Sequence, residues 1–267
     1  MIKNNDKNLP IAFFDSGVGG LTVFEKLKKL LPNENYIYYG DTKNMPYGEK
    51  TEAQLIEFAD RIFNFFEQQN VKAVVMACNT TSAITYEKLK NNYNFRIYPI
   101  IQSVSKVIAQ QNIKRIGVFA TPATINSHAY SKEIRKYNND TEIFEIACPE
   151  WVKIVEGNKL KQPESLLQIK EKIREMEIHN PEKIILGCTH YPYLLEILKQ
   201  FVPEHKFIDP AIEFSKFIKD DLQKNNLLSD KITEGEEKFY VSSSPENFKV
   251  SGSLFYKLKD TPEKREV

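Results

Sequence analysis

Two cysteines stand at the ends of matched apolar runs. Val74-Val75-Met76-Ala77 leads into Cys78 and then Asn79-Thr80-Thr81-Ser82, while Ile184-Ile185-Leu186-Gly187 leads into Cys188 and then Thr189-His190-Tyr191-Pro192. An apolar run that stops at a thiol, followed by small hydrogen-bonding residues, is the pattern of a buried strand presenting a reactive group at its C-terminal end. A thiol with an ordinary pKa near ~8.5 is pulled down by a helix N-terminus or a nearby cation. Two thiols on opposite sides of one molecule allow a specific reaction. One thiolate removes a weakly acidic proton while the opposite thiol donates one to the other face. The carbon centre is inverted, and no cofactor is needed.

The flanking residues suit that chemistry. His190, two residues after Cys188, can tune that thiol or relay its proton, and Asp15 is similarly suited to serve Cys78. The side chains of Ser16, Asn79, Thr80, Thr121 and Thr189, with nearby backbone N–H groups, can hold carboxylate and amino groups. Each has a plainer reading when taken alone. A lone strand-end cysteine is usually inert core, a lone histidine usually a structural hydrogen-bonder, and an Asp before glycines can simply cap its turn. Cys148, in Ala147-Cys148-Pro149, lacks a polar flank and is read as structural; His128, His179 and His205 have no partner pattern.

The elements that would position these groups follow in order. Ile11 to Phe14 reads as a strand running into the turn Asp15-Ser16-Gly17-Val18-Gly19-Gly20 and a helix from Leu21 to Leu31. Tyr36 to Tyr39 is the next strand, ending at Gly40-Asp41. This βαβ opening points to parallel strands. Thr51 and Gln54 form a capping box for a helix with Leu55, Phe58, Ala59, Ile62 and Phe66 on its apolar face; Phe63 and Phe65 read as further core. A helix from about Ser82 to Lys90 and a strand from Arg96 to Ile101 are expected next.

The chain then begins again. Ile116 to Ala120 echoes the first strand, with Thr121 at its end, followed by a helix over Ile125 to Tyr137 and a strand over Glu142 to Ala147. Pro163 opens a helix ending near His179, and further helices are expected over Pro192–Gln200 and Ala211–Asn225. Ile11 to Val74 is 63 residues and Ile116 to Ile184 is 68, so the two halves share their strand spacing. After about residue 210 the repeat breaks down. Lys238 to Ser242 is strand-like, and the charged residues Lys259 to Val267 are expected to be loose.

Composition narrows the field. The 267 residues suffice for two ordinary domains, 41% are hydrophobic, and the net charge is only +1. No global field recruits nucleic acid or an acidic membrane, no apolar run approaches a membrane span, and the polar start Met1 to Asn8 is too short for a signal peptide. A cytoplasmic protein with three free thiols is expected. Without a C-x-x-C pair, zinc binding and dithiol redox chemistry have no local support. A Cys78–Cys188 disulfide would need Cα atoms within about 7 Å, too close to admit an amino acid. Gly17-x-Gly19 after a strand, with Asp41 ending the next, leaves a nucleotide- or metabolite-binding protein with merely packed cysteines as the competing class. Its third glycine, however, is replaced by Thr22, and Asp15 would face a pyrophosphate.

At these residues the sequence resembles the bacterial glutamate racemases, within the aspartate/glutamate racemase group. The matching motifs are Phe14 to Val23, Gly40-Asp41, Pro46-Tyr47-Gly48, Ala77-Cys78-Asn79-Thr80-Thr81-Ser82-Ala83 and Gly187-Cys188-Thr189-His190-Tyr191-Pro192, in the family's order from about residue 10 to 210. The resemblance implies an α/β fold of two similar parallel-sheet, flavodoxin-like lobes, related by pseudo-two-fold symmetry, with the active site in the cleft between them. By that analogy residues 1–98 with 211–267 form the first lobe and 99–210 the second. It further implies interconversion of L- and D-glutamate without a cofactor or metal, supply of D-glutamate for peptidoglycan, and a homodimer. Cys78 would take the α-proton of D-glutamate and Cys188 that of L-glutamate, assisted by Asp15 and His190. Asp15, Ser16, Pro46, Tyr47, Gly48, Asn79, Thr80, Thr121, Thr189 and His190 would bind substrate. After the second-lobe Cys-Pro the family often has an apolar pair, where this chain has Glu150-Trp151; the family's further acid aligns with Glu156. Nothing in the residues measures side-chain length, so aspartate or another acidic amino acid remains an alternative substrate.

Overall fold

The computed structural model describes residues 6–267 and resolves them into two parallel sheets. The first half runs β1 (Ile11–Asp15), α1 (Leu21–Leu30), β2 (Tyr36–Gly40), α2 (Glu52–Gln68), β3 (Ala73–Met76), α3 (Asn79–Leu89), β4 (Arg96–Pro99) and α4 (Ile100–Ala109). The second runs β5 (Arg115–Ala120), α5 (Pro122–Ser127), α6 (Ala129–Arg135), β6 (Glu142–Ala147), α7 (Pro149–Glu156), α8 (Pro163–Glu177), β7 (Lys183–Gly187), α9 (Leu195–Leu198) and β8 (Phe207–Ile208). The chain closes with α10 (Pro210–Lys224), β9 (Glu237–Val241), α11 (Pro245–Gly252) and β10 (Glu263–Lys264).

The strand orders expose the repeat. The first sheet is β10-β9-β2-β1-β3-β4 and the second β6-β5-β7-β8, so β2-β1-β3-β4 and β6-β5-β7-β8 follow the same path. All pairings are parallel, with Asp15 opposite Gly40, Phe14 opposite Met76, and Ala120 opposite Gly187. The carboxyl ends of the central strands therefore lie level, and Cys78 and Cys188 follow equivalent strands.

Alternation along β1 divides the first core. Ile11 and Phe13 face one hydrophobic cluster with Leu21, Phe24, Leu27 and Phe214, whereas Ala12 and Phe14 face another with Leu55, Ala59, Ile62 and Phe66. A sheet buried on both faces needs helices on both, and these clusters supply them. The first cluster continues into β5 and β7, so the lobes share packed apolar side chains rather than only a hinge. Phe24 meets Phe13, Tyr36, Phe239 and Tyr256 at ring separations of 5.0–5.3 Å. Burying one such ring contributes about 1.5–3 kcal/mol, and this cluster fastens β9 beside β2.

Local chemistry explains most boundaries. The Thr51 hydroxyl accepts from the Gln54 N–H while the Gln54 side chain accepts from the Thr51 N–H, closing the expected capping box. Phe63, Phe65 and Phe66 are buried. Four details differ from expectation. Ile100 and Ile101 open α4 instead of extending β4, because a short β-branched run fits a buried helix as well as a strand. The helix expected over Ile125–Tyr137 starts at Pro122 and breaks at His128, whose φ of 54° lies in the left-handed region. The Pro192–Gln200 segment is a 3₁₀ turn, Tyr191–Leu194, followed by the short α9. Finally, the tail is not loose. Glu263–Lys264 pair with β9, the Arg265 N–H donates to the Val241 carbonyl at 2.8 Å, and the Tyr39 hydroxyl donates to the Arg265 carbonyl at 2.7 Å. The tail's charged side chains reach solvent while its backbone extends the sheet; composition reports only the former. Among the described residues, no helix is long and apolar enough to cross a membrane.

Candidate active site

The level strand ends of the two sheets enclose one small cavity of about 70 Å³, lined by both Cys78 and Cys188. Also on its wall are Ser16, Pro46, Tyr47, Gly48, Asn79, Thr80, Thr121, Thr189 and His190. A cavity needs at least about 10–15 Å³ on such a scale to hold one water, so this one has room for a small molecule. Cys78 is the N-cap of α3, and all three cysteines are free.

Hydrogen bonds tie the two walls together. Thr80 Oγ1 lies 3.0 Å from Thr121 Oγ1, and the Tyr130 hydroxyl donates to Asn79 Oδ1 at 2.7 Å. Thr121 also caps α5, accepting from the Thr124 N–H. Residues that read as separate motifs thus meet across the cleft. The 3₁₀ turn Tyr47–Glu49 forms the lip on the first-lobe side. Its Tyr47 hydroxyl donates to Asp41 Oδ2 at 2.5 Å, and Asn44 donates to both oxygens of the same carboxylate. Asp41, which directly follows β2 and which the competing reading placed in a nucleotide site, therefore holds the lip in place.

The glycine-rich turn after β1 is set by close approach. A Cβ on Gly19 would lie 2.4 Å from Thr189 Oγ1 and 2.6 Å from the His190 ring. Only glycine lets the first-lobe backbone pass so near the second-lobe motif.

Asp15 and Glu156 lie behind the wall and do not line the cavity. The fully buried Asp15 accepts from the Gly17 N–H at 2.9 Å and from the Thr189 hydroxyl at 3.4 Å. Burial lifts its carboxyl from 3.8 to about 6, against the pull of His190 and those donors. Burial, with Asp15 adding to it, pushes the Cys78 thiol up to about 12. Cys78 is accordingly a protonated thiol near neutrality, beside a carboxyl group that holds its own proton more tightly than an exposed one.

The other thiol has a different neighbourhood. His190 Nδ1 lies 3.8 Å from Cys188 Sγ, and His190 Nε2 lies 2.9 Å from Glu156 Oε1. Burial alone would discharge the imidazole, but hydrogen bonds to Cys188 and Glu156 outweigh it and raise the histidine to about 10. His190 therefore presents a charged ring toward Cys188. The two thiols have unlike neighbours, a buried carboxyl group on the Cys78 side and an imidazolium on the Cys188 side.

The sign of the Asp15 shift has a measurable consequence. The folded carboxyl binds its proton more tightly than the unfolded one. Its contribution to stability is therefore full below about 3.8 and lost as pH rises through about 6. Asp15→Asn cannot ionise, so it should gain on the parent by about 2–3 kcal/mol between acid and weakly alkaline pH. Denaturant unfolding of both proteins at about pH 4 and about pH 8 checks this. A stability difference independent of pH would mean that Asp15 titrates normally.

A model of the Asp/Glu/Hydantoin racemase family matches residues 18–213 of this sequence. The chain belongs to that family. It is 39% identical over 241 residues to the glutamate racemase of Thermoanaerobacter sp. (strain X514), covering 90% of each chain. Its fold matches the crystal structure of glutamate racemase from Francisella tularensis in complex with D-glutamate, with a TM-score of 0.91, 35% identity, and coverage of 97% of this chain and 98% of the other. The Bacillus anthracis glutamate racemase isoform RacE1 superimposes with a TM-score of 0.92 at 27% identity, over 98% of both chains.

Six further residues of this family member line the cavity without having been singled out in the sequence: Met45, Glu49, Pro122, Pro149, Val152 and Lys153. Pro149, Val152 and Lys153 share one face of α7, spaced by three and four residues, a signal that helical periodicity carries. Lys153 also lies 3.8 Å from Glu49, bridging the lips of the two lobes. Cys148 is buried away from the cavity, its carbonyl accepting from the Tyr191 hydroxyl at 2.7 Å. Among the described residues, no cluster of three His, Cys, Asp or Glu is placed to hold a metal ion.

Proposed function

We propose that this protein interconverts L- and D-glutamate, with Cys78 and Cys188 as the two proton-transferring groups. The observation that carries the reading is that two thiols, each following the equivalent strand of a different lobe, line one cavity. The substrate comes from the relatives, which are named glutamate racemases, one of them bound to D-glutamate.

Substrate enters with its α-carbon between the sulfurs. Cys78 removes the α-proton of D-glutamate while Cys188 delivers a proton to the opposite face; L-glutamate reverses the roles. Asp15 serves the Cys78 side, His190 and Glu156 the Cys188 side. The hydroxyls and amide of Ser16, Asn79, Thr80, Thr121 and Thr189, with Tyr47-Gly48 at the lip, hold the carboxylates and the amino group. The α-proton is far less acidic than a thiol, so pre-placed charges and exclusion of water must supply much of the barrier reduction. Residues 1–98 with 211–267 act as one lobe and 99–210 as the other. The working form is a cytoplasmic homodimer, and its D-glutamate supplies peptidoglycan precursors.

The test is polarimetric. Purified protein freed of pyridoxal phosphate should carry either pure isomer of glutamate to an equal mixture. In deuterated solvent, one deuterium should enter the α-position per inversion. Aspartate in parallel separates the two acidic substrates: turnover of aspartate alone would reassign the substrate, and turnover of neither would end the racemase reading.

A further inference from the structure

Thr81 is a buried polar residue that the reading above leaves without a task. Its neighbours are engaged: Thr80 bonds across the cleft to Thr121, and the Ser82 hydroxyl donates to Gln102 Oε1 at 2.8 Å. The Thr81 carbonyl is also satisfied, accepting from the Thr85 hydroxyl at 2.9 Å. Its own hydroxyl is different. The residue is fully buried, and Oγ1 has no hydrogen-bond partner among the described residues. An unpaired buried hydroxyl works against folding, so its retention asks for a partner that forms in another state of the protein.

The position of Thr81 identifies that partner. Cys78 is the N-cap of α3, which makes Thr81 the third residue of the helix. An N-cap side chain ordinarily accepts from the backbone N–H of that third residue. Cys78 makes no such cap bond as it stands, consistent with a neutral thiol being a weak acceptor. A thiolate is a much stronger one, and it would meet two donors from one residue, an amide N–H and a hydroxyl, at the positive end of a helix.

We propose that Thr81 is a positioning residue for Cys78, its hydroxyl and amide closing on the sulfur when the thiol ionises. This rests on the reading of Cys78 as a base. Burial and Asp15 hold the thiol high, and these same two Thr81 groups are the ones that pull it back down. The two groups thus stand within reach of the sulfur but make no full hydrogen bond to the resting thiol; on ionisation they close on it and stabilise the form that accepts the α-proton. Asp15 and the Cys188 sulfur also act on Cys78, and both disfavour its ionisation; the Tyr38 and Tyr47 phenols, both held protonated by burial, are the remaining titratable groups that feel its charge.

The test separates this contact from the racemase reading. Cys78 lines the cavity, so iodoacetamide reaches it, and mass spectrometry follows each cysteine separately as pH is varied. Thr81→Val keeps the shape but removes the donor; Thr81→Ser keeps the donor. The valine variant should alkylate Cys78 about tenfold more slowly near neutrality, with its profile moved to higher pH, Cys188 unaffected, and the serine variant close to the parent. In glutamate turnover, kcat/KM should fall about tenfold and its acidic limb should move up in pH. If the valine variant unfolds, buried Cys148 alkylates as well, and Thr81→Ala takes its place. A Cys78 titration that neither variant shifts overturns the proposal, even if turnover is lost. A shifted titration in a protein that does not racemise glutamate supports the Thr81 contact and sinks the racemase reading instead.

Discussion

Cys78→Ala and Cys188→Ala are each expected to lower kcat/KM for glutamate racemisation by about 10²–10⁴-fold, the usual contribution of a positioned acid or base. The loss should be equal from either isomer. The equilibrium constant between mirror images is one, so no substitution can change the ratio of the two kcat/KM values. A cysteine assigned to one direction therefore cannot show itself as a one-directional loss; only kcat and KM separately can differ. Cys148→Ala is the control, since that side chain packs beneath the site and touches no part of the cavity. It should keep the parent's turnover while losing some stability. Removing a single sulfur from the nearly buried Cys78 or Cys188 leaves a small gap, costing about 1 kcal/mol, so all three variants should fold. Parent-like turnover in either cavity variant would sink the two-thiol mechanism. Loss of turnover in all three would point instead to general disturbance of the second-lobe core.

Much of this arrangement was legible in the residues because two signals coincide. Apolar runs that end in chemistry mark the central strands, and the similar spacing from Ile11 to Val74 and from Ile116 to Ile184 marks their repetition. Parallel sheets are buried on both faces, so such strands are continuous apolar runs and stand out. What stayed hidden falls into two kinds. Edge pairing was one: β10 is charged, and side-chain polarity says nothing about whether its backbone bonds to β9. Contacts between distant segments were the other. Tyr130 reaching Asn79, and Glu49 meeting Lys153 at the lip, depend on how the lobes dock, which no local pattern encodes. Thr81 lies between these cases. Its place three residues after Cys78 is visible in the sequence, but the unpaired state of its hydroxyl is visible only in the fold.

The second large effect should come from the His190–Glu156 pair. His190→Asn removes the donor that faces Cys188 and should cost about 10²-fold in kcat/KM. Glu156→Gln is the more informative change. The glutamine can still accept from His190 Nε2–H, so the ring keeps its place, but the carboxylate charge is gone. Burial continues to oppose the imidazolium, so the histidine should drop well below about 10. Two consequences share that sign. The basic limb of the kcat/KM profile should move to lower pH, leaving the variant near the parent in weak acid and far below it in alkali. Stability should move in step. The parent's raised histidine favours folding fully below about 6.5, and that contribution is lost as pH rises through about 10. Glu156→Gln should therefore be less stable than the parent at neutral pH, with the gap closing in strong alkali. Glu156 is only partly buried, so solvent screening tempers the stability change more than the kinetic one. A basic limb that stays where it was would assign the imidazolium to Cys188 alone. Glu156 would then be an ordinary helix carboxylate that happens to lie 2.9 Å from a charged ring.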